Sequence, residues 1–412
     1  MAIEKKNIII IGAGFGGITA MKYLAKKLPS DFSLILIDKR RHQLYTPALY
    51  EIASIPREMT EDTILRASIL IPVKDMVRKK NTTFICDEFI GLDHRAQTIQ
   101  LQRTGNLAYE YLILALGSET AYFDIPGLSE HALPLKTFDD AIRMRNAIEE
   151  KLQTKQDLHI TVAGAGSAGI ELVAEFVNFI CVMQEKLFPD SKKCPAFFTL
   201  IEAAPDILPG FEQWVVTLTK KRLADLGIMV KTNTAITSVT EAQITFKNGE
   251  TQAKDILIWT GGVKGPARFH SIGMEVSPKD SLIVDENLRA KEANNRIFAI
   301  GDNATVANPF TQKPVIWNVP AAESQAKIAA ANIIRSIAGK PLIPFKPAKK
   351  YPFVLAIGKK YAIADLIIFR FWGFSGWFAK QLVELRYALS VLPLKKALLF
   401  CWRSLWVSQA ND

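Results

Sequence analysis

The chain has 412 residues, 49% of them apolar and 22% charged, with a net charge of +10. That length allows two or three domains around a sizeable core, and the composition excludes wholesale disorder. Cys86, Cys181, Cys194 and Cys401 make no C-x-x-C pair and the five histidines are scattered, which argues against a disulfide framework, a zinc ribbon and a redox dithiol.

Met1–Lys6 leads straight into an apolar run, which leaves no room for a signal peptide and predicts a cytosolic start. Ile8-Ile9-Ile10-Ile11 reads as a strand buried on both faces. Gly12, Gly14 and Gly17 then fit G-x-G-x-x-G, with Gly16 adding backbone freedom, and Ile18 to Leu28 read as helix. In this strand–turn–helix context the first glycine allows a tight turn. The second lets the backbone approach a pyrophosphate at the helix N-terminus, and the third lets helix and strand pack closely. Asp38 ends the next apolar run, Leu34–Ile37, where a carboxylate can grip a ribose hydroxyl. One such match also fits a plain glycine-rich turn, and by itself it leaves open whether a flavin or a nicotinamide dinucleotide is bound.

His42–Tyr50 has neither helical nor strand period and reads as an aromatic loop leading into a short helix. Residues 81–116 carry short alternating runs, which suggest an antiparallel meander ending in a buried strand, Tyr111–Leu116, closed by Gly117-Ser118. Phe138–Leu152 reads as an amphipathic helix.

The opening pattern then recurs. His159–Ala163 is a strand, Gly164, Gly166 and Gly169 form a second G-x-G-x-x-G, and Ile170–Gln184 is a helix. Phe198–Glu202 is the next strand, ending in an acid, and Glu185–Pro195 reads as extra helix and loop. Two matches in the same context, each with a terminal acid, weigh far more than one. Glu202 would accept from a 2′-hydroxyl and repel a 2′-phosphate, which favours NADH over NADPH. Further strands follow at Val230–Thr232, Ala242–Phe246 and Asp255–Trp259. Arg296–Ile300 is a late strand delivering Gly301-Asp302, and Pro320–Ile337 is an alanine-rich helix carrying Glu323 and Gln325.

The tail differs. From Lys340 to Asp412 there are twelve Lys and Arg against three Asp and Glu, and Trp372, Trp377, Trp402 and Trp406 lie there. Phe374, Phe378, Leu382, Leu385, Leu389 and Leu392 make a helical apolar face that Lys380, Glu384 and Arg386 interrupt. Pro393 breaks this helix, and Leu394, Leu398, Cys401, Trp402 and Leu405 mark a second. No clean run of 18 apolar residues exists in it, so an interfacial amphipathic hairpin on an anionic membrane fits better than a spanning helix or a nucleic-acid surface. Packing on the body or on a second subunit is the competing account.

Several segments resemble the type II NADH dehydrogenases, single-subunit flavin NADH:quinone oxidoreductases. These are Tyr45–Tyr50, Leu114–Thr120, Ala132–Thr137, Gly169–Leu172, Ile258–Val263 and Ala299–Asp302, spread along nearly the whole chain. The resemblance implies an α/β fold with two Rossmann-like dinucleotide-binding domains, one for FAD and one for NADH, plus a C-terminal amphipathic membrane-association region. It divides the chain into 1–120 and 263–339 (FAD), 121–262 (NADH) and 340–412 (membrane).

By the same resemblance one non-covalent FAD is held by Gly12, Gly14, Phe15, Gly16, Gly17, Asp38 and Lys39. Thr46, Pro47, Ala115, Gly117, Gly301, Asp302 and Ala322 also belong to the cofactor sites, with Asp302 on the ribityl chain. NADH, as substrate, falls to Gly164, Gly166, Gly169, Glu202 and Gly262. Glu171 is the expected catalytic acid near nicotinamide and flavin, supplying a proton for quinol formation. Where the family has Pro-Thr-Ala-Gln, this chain has Pro320-Ala321-Ala322-Glu323, so Glu323 and Gln325 are the candidates for the quinone. The partners implied are NADH, a membrane quinone, an anionic membrane surface and a second copy of the chain, with no metal and no nucleic acid. The expected location is peripheral, on the cytoplasmic face of the cell membrane, without proton pumping. The competing readings are a sulfide:quinone or ferredoxin-type reductase, or an NADH-binding redox sensor without turnover.

Overall fold

The computed structural model describes residues 5–155, 157–188, 196–291, 294–311 and 313–410. Cys194 and the loop through Pro195 lie outside them. The chain forms two compact units, one of residues 1–43, 71–119 and 263–351, the other of residues 44–70, 120–262 and 352–412.

The first unit is built on a five-stranded parallel sheet. Its order is Ile297–Ala299, Tyr111–Leu114, Lys6–Ile11, Phe32–Asp38, Thr82–Cys86. Ile8, Ile9 and Ile10 in its middle are fully buried, as an uninterrupted apolar strand covered on both faces requires. Helices Phe15–Lys27 and Val319–Ile337 pack on each other, with Gly16 against the Ala322 backbone. Asn318 starts the second of these helices, its side chain accepting from Ala321 N–H at 2.8 Å. One strand departs from expectation. Thr82–Cys86 is a parallel edge strand of the main sheet, and the meander is only Phe89–Asp93, Thr98–Leu101 and Gly105–Ala108. Short alternating runs look alike whether the partner is parallel or antiparallel.

The second unit repeats the plan. Its parallel sheet runs Leu133–Pro134, Ile256–Trp259, His159–Ala163, Phe197–Ile201, Met229–Lys231. An antiparallel sheet, Ile236–Val239, Gln243–Phe246 and Thr251–Ala253, closes a core of Ala163, Ile201, Ile244, Phe246 and Trp259. Helix Ser167–Leu187 is, among the described residues, the one long and apolar enough to cross a bilayer; ten of its residues, Leu172, Phe176 and Phe179 among them, are buried in the fold. Cys181 on it is disulfide-bonded. Helix Phe138–Thr154 starts at a capping box between Thr137 and Asp140.

The tail is part of this unit from Pro352 onward. Strands Phe353–Ala356, Ala362–Asp365 and Arg370–Gly373 form an antiparallel sheet. Helices Phe374–Val391 and Leu394–Ala410 follow as a hairpin. Apolar residues lie on both sides of the hairpin, Trp377, Ala388, Val391, Phe400 and Val407 among the buried ones. Lys380, Glu384 and Tyr387 face inward, while Phe374, Phe378, Leu382, Leu394, Leu398 and Trp402 are exposed. Of the charged residues that interrupt the apolar pattern in sequence, Lys380 and Glu384 lie on the inward side beside Trp377, Tyr387, Ala388 and Val391, while Arg386 is exposed.

Candidate dinucleotide sites and a buried charge cluster

The two glycine loops are built alike. Gly12 and Gly164 both have φ +105°, closed to residues with a side chain. A Cβ on either would overlap backbone, at Ala115 in the first loop and at Gly261 in the second. On Gly17 it would collide with the Gly12 carbonyl oxygen, and on Gly169 with that of Gly164. The middle glycines differ: a Cβ on Gly14 or Gly166 meets nothing within 4 Å. The chain therefore demands the outer glycines, while the middle ones border open space. Gly14 and Gly166 are also the N-caps of their helices and offer no capping side chain, and neither first turn carries an acid. The first N–H groups are left for an anion. A cradle of this shape and polarity fits a dinucleotide pyrophosphate in each loop.

The terminal acids repeat as well. Asp38 accepts from Ala13 N–H at 2.7 Å and Arg40 N–H at 2.8 Å. Glu202 accepts from Ala165 N–H at 2.8 Å and Ala204 N–H at 2.9 Å. Each carboxylate is pinned to its own loop by one bond per oxygen and keeps acceptor capacity for ribose hydroxyls.

A third turn completes the first unit's site. Gly301 has φ +76°, and its N–H donates to Gln325 Oε1 at 2.7 Å. Asp302 accepts from Ser118 Oγ at 3.2 Å. Asn303, which sequence reasoning missed, accepts from Gly117 N–H at 3.1 Å and donates to the Leu114 carbonyl at 3.0 Å. It ties the Gly117 turn to the Gly301 turn. Gln325 is 2% exposed, and its contacts make it a support for Gly301. Glu323 is half-buried, and its charge acts on Lys22 of the first helix.

In the second unit Gly261 and Gly262 follow the strand Ile256–Trp259, and Gly262 lies against the Phe123 ring. Thr46 and Pro47 are exposed in a single 3₁₀ turn that leads into helix Leu49–Ala53. Lys39 is exposed and Phe15 half-buried beside the first loop, and Ala115 is buried under it.

Glu171 lies in the second turn of helix Ser167–Leu187, where its Oε1 accepts from Ala356 N–H at 3.3 Å. Burial raises its carboxyl to about 8; the Ala356 bond and Lys380 oppose the shift. It does not stand alone. Glu51 of helix Leu49–Ala53 pairs with Lys380 of helix Phe374–Val391, and Tyr50 Oη donates to Glu51 Oε1 at 3.4 Å. Lys380 Nζ also sits 5.1 Å from the Tyr50 ring centre. Glu175, one turn beyond Glu171, and Glu384, one turn beyond Lys380, are buried too. Tyr45 stacks obliquely on Tyr387 at 5.5 Å and edge-on against Phe400 at 5.9 Å. Sequence reasoning missed this cluster apart from Glu171. The available signal was the repeated four-residue spacing, Glu171 with Glu175 and Lys380 with Glu384, within apolar stretches of their helices.

Among the described residues no group of three or more His, Cys, Asp and Glu side chains could hold a metal ion. Two Rossmann-like halves, each with a glycine loop answered by an acid, define the class of two-domain dinucleotide-fold proteins. The pyridine nucleotide-disulphide oxidoreductase family matches residues 6–326, and the chain belongs to that family. It is 28% identical over 358 residues to the type II NADH:quinone oxidoreductase of Staphylococcus epidermidis, covering 84% of this chain and 86% of that one. It is 30% identical over 343 residues to a probable mitochondrial NADH-ubiquinone oxidoreductase of Schizosaccharomyces pombe, covering 75% of this chain and 60% of the relative. In fold it is similar to NDH2 of Plasmodium falciparum solved with NADH, at TM-score 0.81, 21% identity and 97% and 98% coverage of the two chains. It is also similar to the sulfide:quinone oxidoreductase of Aquifex aeolicus, at TM-score 0.76, 20% identity and 93% and 90% coverage.

Proposed function

We propose that the chain oxidises NADH with a bound FAD and passes two electrons to a membrane quinone, without pumping protons. The observation that carries this reading is the duplicated loop, with its open middle glycine and pinned acid in each unit. Gly164–Gly169 and Glu202 take NADH; Gly12–Gly17, Asp38 and the Gly301–Asp302 turn take FAD. The flavin, when bound, supplies two-electron chemistry that no side chain offers. The protein supplies position and charge. Quinol formation needs two protons, and NADH brings one hydrogen with its two electrons. Glu171 is the residue we assign to deliver the other, its raised carboxyl being protonated at neutral pH.

A sulfide-oxidising reading has a neighbour in fold. Cys401 would serve it poorly, since burial holds its thiol up at about 12 and a protonated thiol is a poor nucleophile. The outward apolar side of the tail hairpin, with Lys395, Lys396 and Arg403 on its second helix, supports attachment to an anionic bilayer. The test is stopped-flow spectroscopy of the flavin-loaded protein. NADH should bleach the flavin band and a soluble quinone should restore it. Bleaching without restoration would make the protein an NADH-binding sensor, and no bleaching at all would remove the oxidoreductase reading.

A further inference from the structure

We propose that the Phe123 ring packs on the nicotinamide ring of NADH and holds that end of the substrate, as Glu202 holds the other. This rests on the function proposed above and deepens it. Phe123 and Asp124 both have φ +53°, and Ile125 N–H donates to the Tyr122 carbonyl at 3.1 Å. Left-handed φ at both central positions belongs to turns of the type I′ class, which glycine, asparagine and aspartate favour. A phenylalanine held there is a strained residue, and strain of this kind points to a role for the side chain it presents. That side chain is not buried in a core: the ring is 60% exposed.

The sheet decides which part of the substrate the ring meets. Its central strand, His159–Ala163, has Phe197–Ile201 on one side and Ile256–Trp259 on the other. A dinucleotide lies across the C-terminal ends of such strands, where the chain switches sides. The register sets Ile201, Ala163 and Trp259 level, so Glu202, Gly164 and Thr260 follow side by side. Glu202 lies on the Phe197–Ile201 side, bonded to the loop, and takes the adenosine ribose; Gly164–Gly169 take the pyrophosphate. The nicotinamide half then falls to the Ile256–Trp259 side, one strand spacing or about 5 Å further on. Thr260 Oγ1 bonds to the Ala163 and Gly164 carbonyls at 3.0 and 2.9 Å, which fixes Gly261-Gly262 beside the loop. Gly262 does not have a left-handed φ. What excludes a side chain there is the Phe123 ring, 2.7 Å from where its Cβ would lie. The ring also meets Trp259 edge-on, centres 6.3 Å apart, and Trp259 Nε1 donates to the Ala121 carbonyl at 2.8 Å.

An aromatic ring suits this place. The nicotinamide ring is flat, uncharged in NADH and cationic in NAD+. Phe123 packs on the first by stacking and attracts the second through its ring face as well. The contacts at Glu202 and Gly164–Gly169 hold NADH and ADP-ribose alike. Phe123 tells the two apart, because ADP-ribose lacks the nicotinamide.

The test is calorimetric titration of the flavin-loaded full chain with NAD+ and with ADP-ribose, alongside the NADH concentration that half-saturates flavin bleaching. In Phe123→Ala the Kd for NAD+ and the half-saturating NADH should both rise about tenfold, while the Kd for ADP-ribose stays within about twofold of wild type. Phe123→Tyr keeps the ring and should bind all three as wild type does. Equal weakening of NAD+ and ADP-ribose in Phe123→Ala, or NAD+ binding unchanged, overturns the proposal. Should the Ala variant melt below wild type, Phe123→Leu, which keeps an apolar group over Gly262, takes its place. NAD+ bound by the Leu variant at wild-type strength then overturns the proposal, and selective loss of NAD+ supports it. Wild type that binds neither NAD+ nor ADP-ribose counts against the NADH reading itself, a result seen without any variant.

Discussion

A Cβ at Gly17 would collide with the Gly12 carbonyl oxygen, whereas one at Gly14 would meet nothing within 4 Å. Gly14 also has an ordinary φ of −75°. Gly14→Ala should therefore leave the melting temperature of flavin-free protein unchanged, within about 0.5 kcal/mol, while lowering flavin content on purification. Gly17→Ala should destabilise the chain by about 2 kcal/mol or more even without ligand. Absorbance at the flavin band and a thermal melt separate the two. Glu171 gives a pH signature. Its folded-state value of about 8 lies above the ordinary 4.5, so the folded chain binds more protons than the unfolded one between these limits. Stability from this group is whole below pH ~4.5 and is lost as pH rises through ~8. Glu171→Gln should flatten that fall in a pH series of melts. It should also slow recolouring by quinone about tenfold or more while leaving the flavin spectrum intact. An unchanged rate would make Glu171 a structural acid.

The tail hairpin is the element whose physics sequence alone states least well. Periodicity in Phe374–Val391 marks two faces but does not say which one meets water. Here Lys380 and Glu384 lie on the inward face beside Trp377, Tyr387 and Ala388, and a second apolar face is bare. Removal of the whole tail would strip strands and helices from the second unit, so a milder change is the better probe. Trp402 is 64% exposed and Leu398 51% exposed. Replacing both with Ser should not alter the melting temperature. It should weaken binding to anionic vesicles by at least about tenfold in a flotation assay, since each apolar side chain seated in lipid contributes about 1.5–3 kcal/mol. Binding of the double variant at wild-type strength would move the anchor elsewhere.

At the scale of the molecule, the parts legible in the sequence were those fixed by local rules. Four consecutive isoleucines, a glycine loop and a helix state a strand–turn–helix unit wherever they occur, and they do so twice. The pinned acids at Asp38 and Glu202 follow from the same rule. Features that depend on distant chain were not legible. Residues 44–70 fold with the second unit although the first loop and Asp38 precede them, and no local pattern announces such interleaving. Asn303 ties two turns through residues 114 and 117, and Gln325 Oε1 accepts from Gly301 N–H. The Lys380–Glu51 pair joins residues 329 positions apart, so only the folded chain reveals that an acid in a short early helix and a base in a tail helix pair with each other.

The bare face of the hairpin also governs how the protein behaves away from a bilayer. Phe374, Phe378, Leu382, Leu394, Leu398 and Trp402 form an apolar face that is exposed among the described residues. In plain buffer such a face drives chains to cover one another, so the protein in dilute aqueous solution should be a self-associating species, dispersed by mild detergent. Its solubility is thus set by two short helices, while its folding is set by the two sheets.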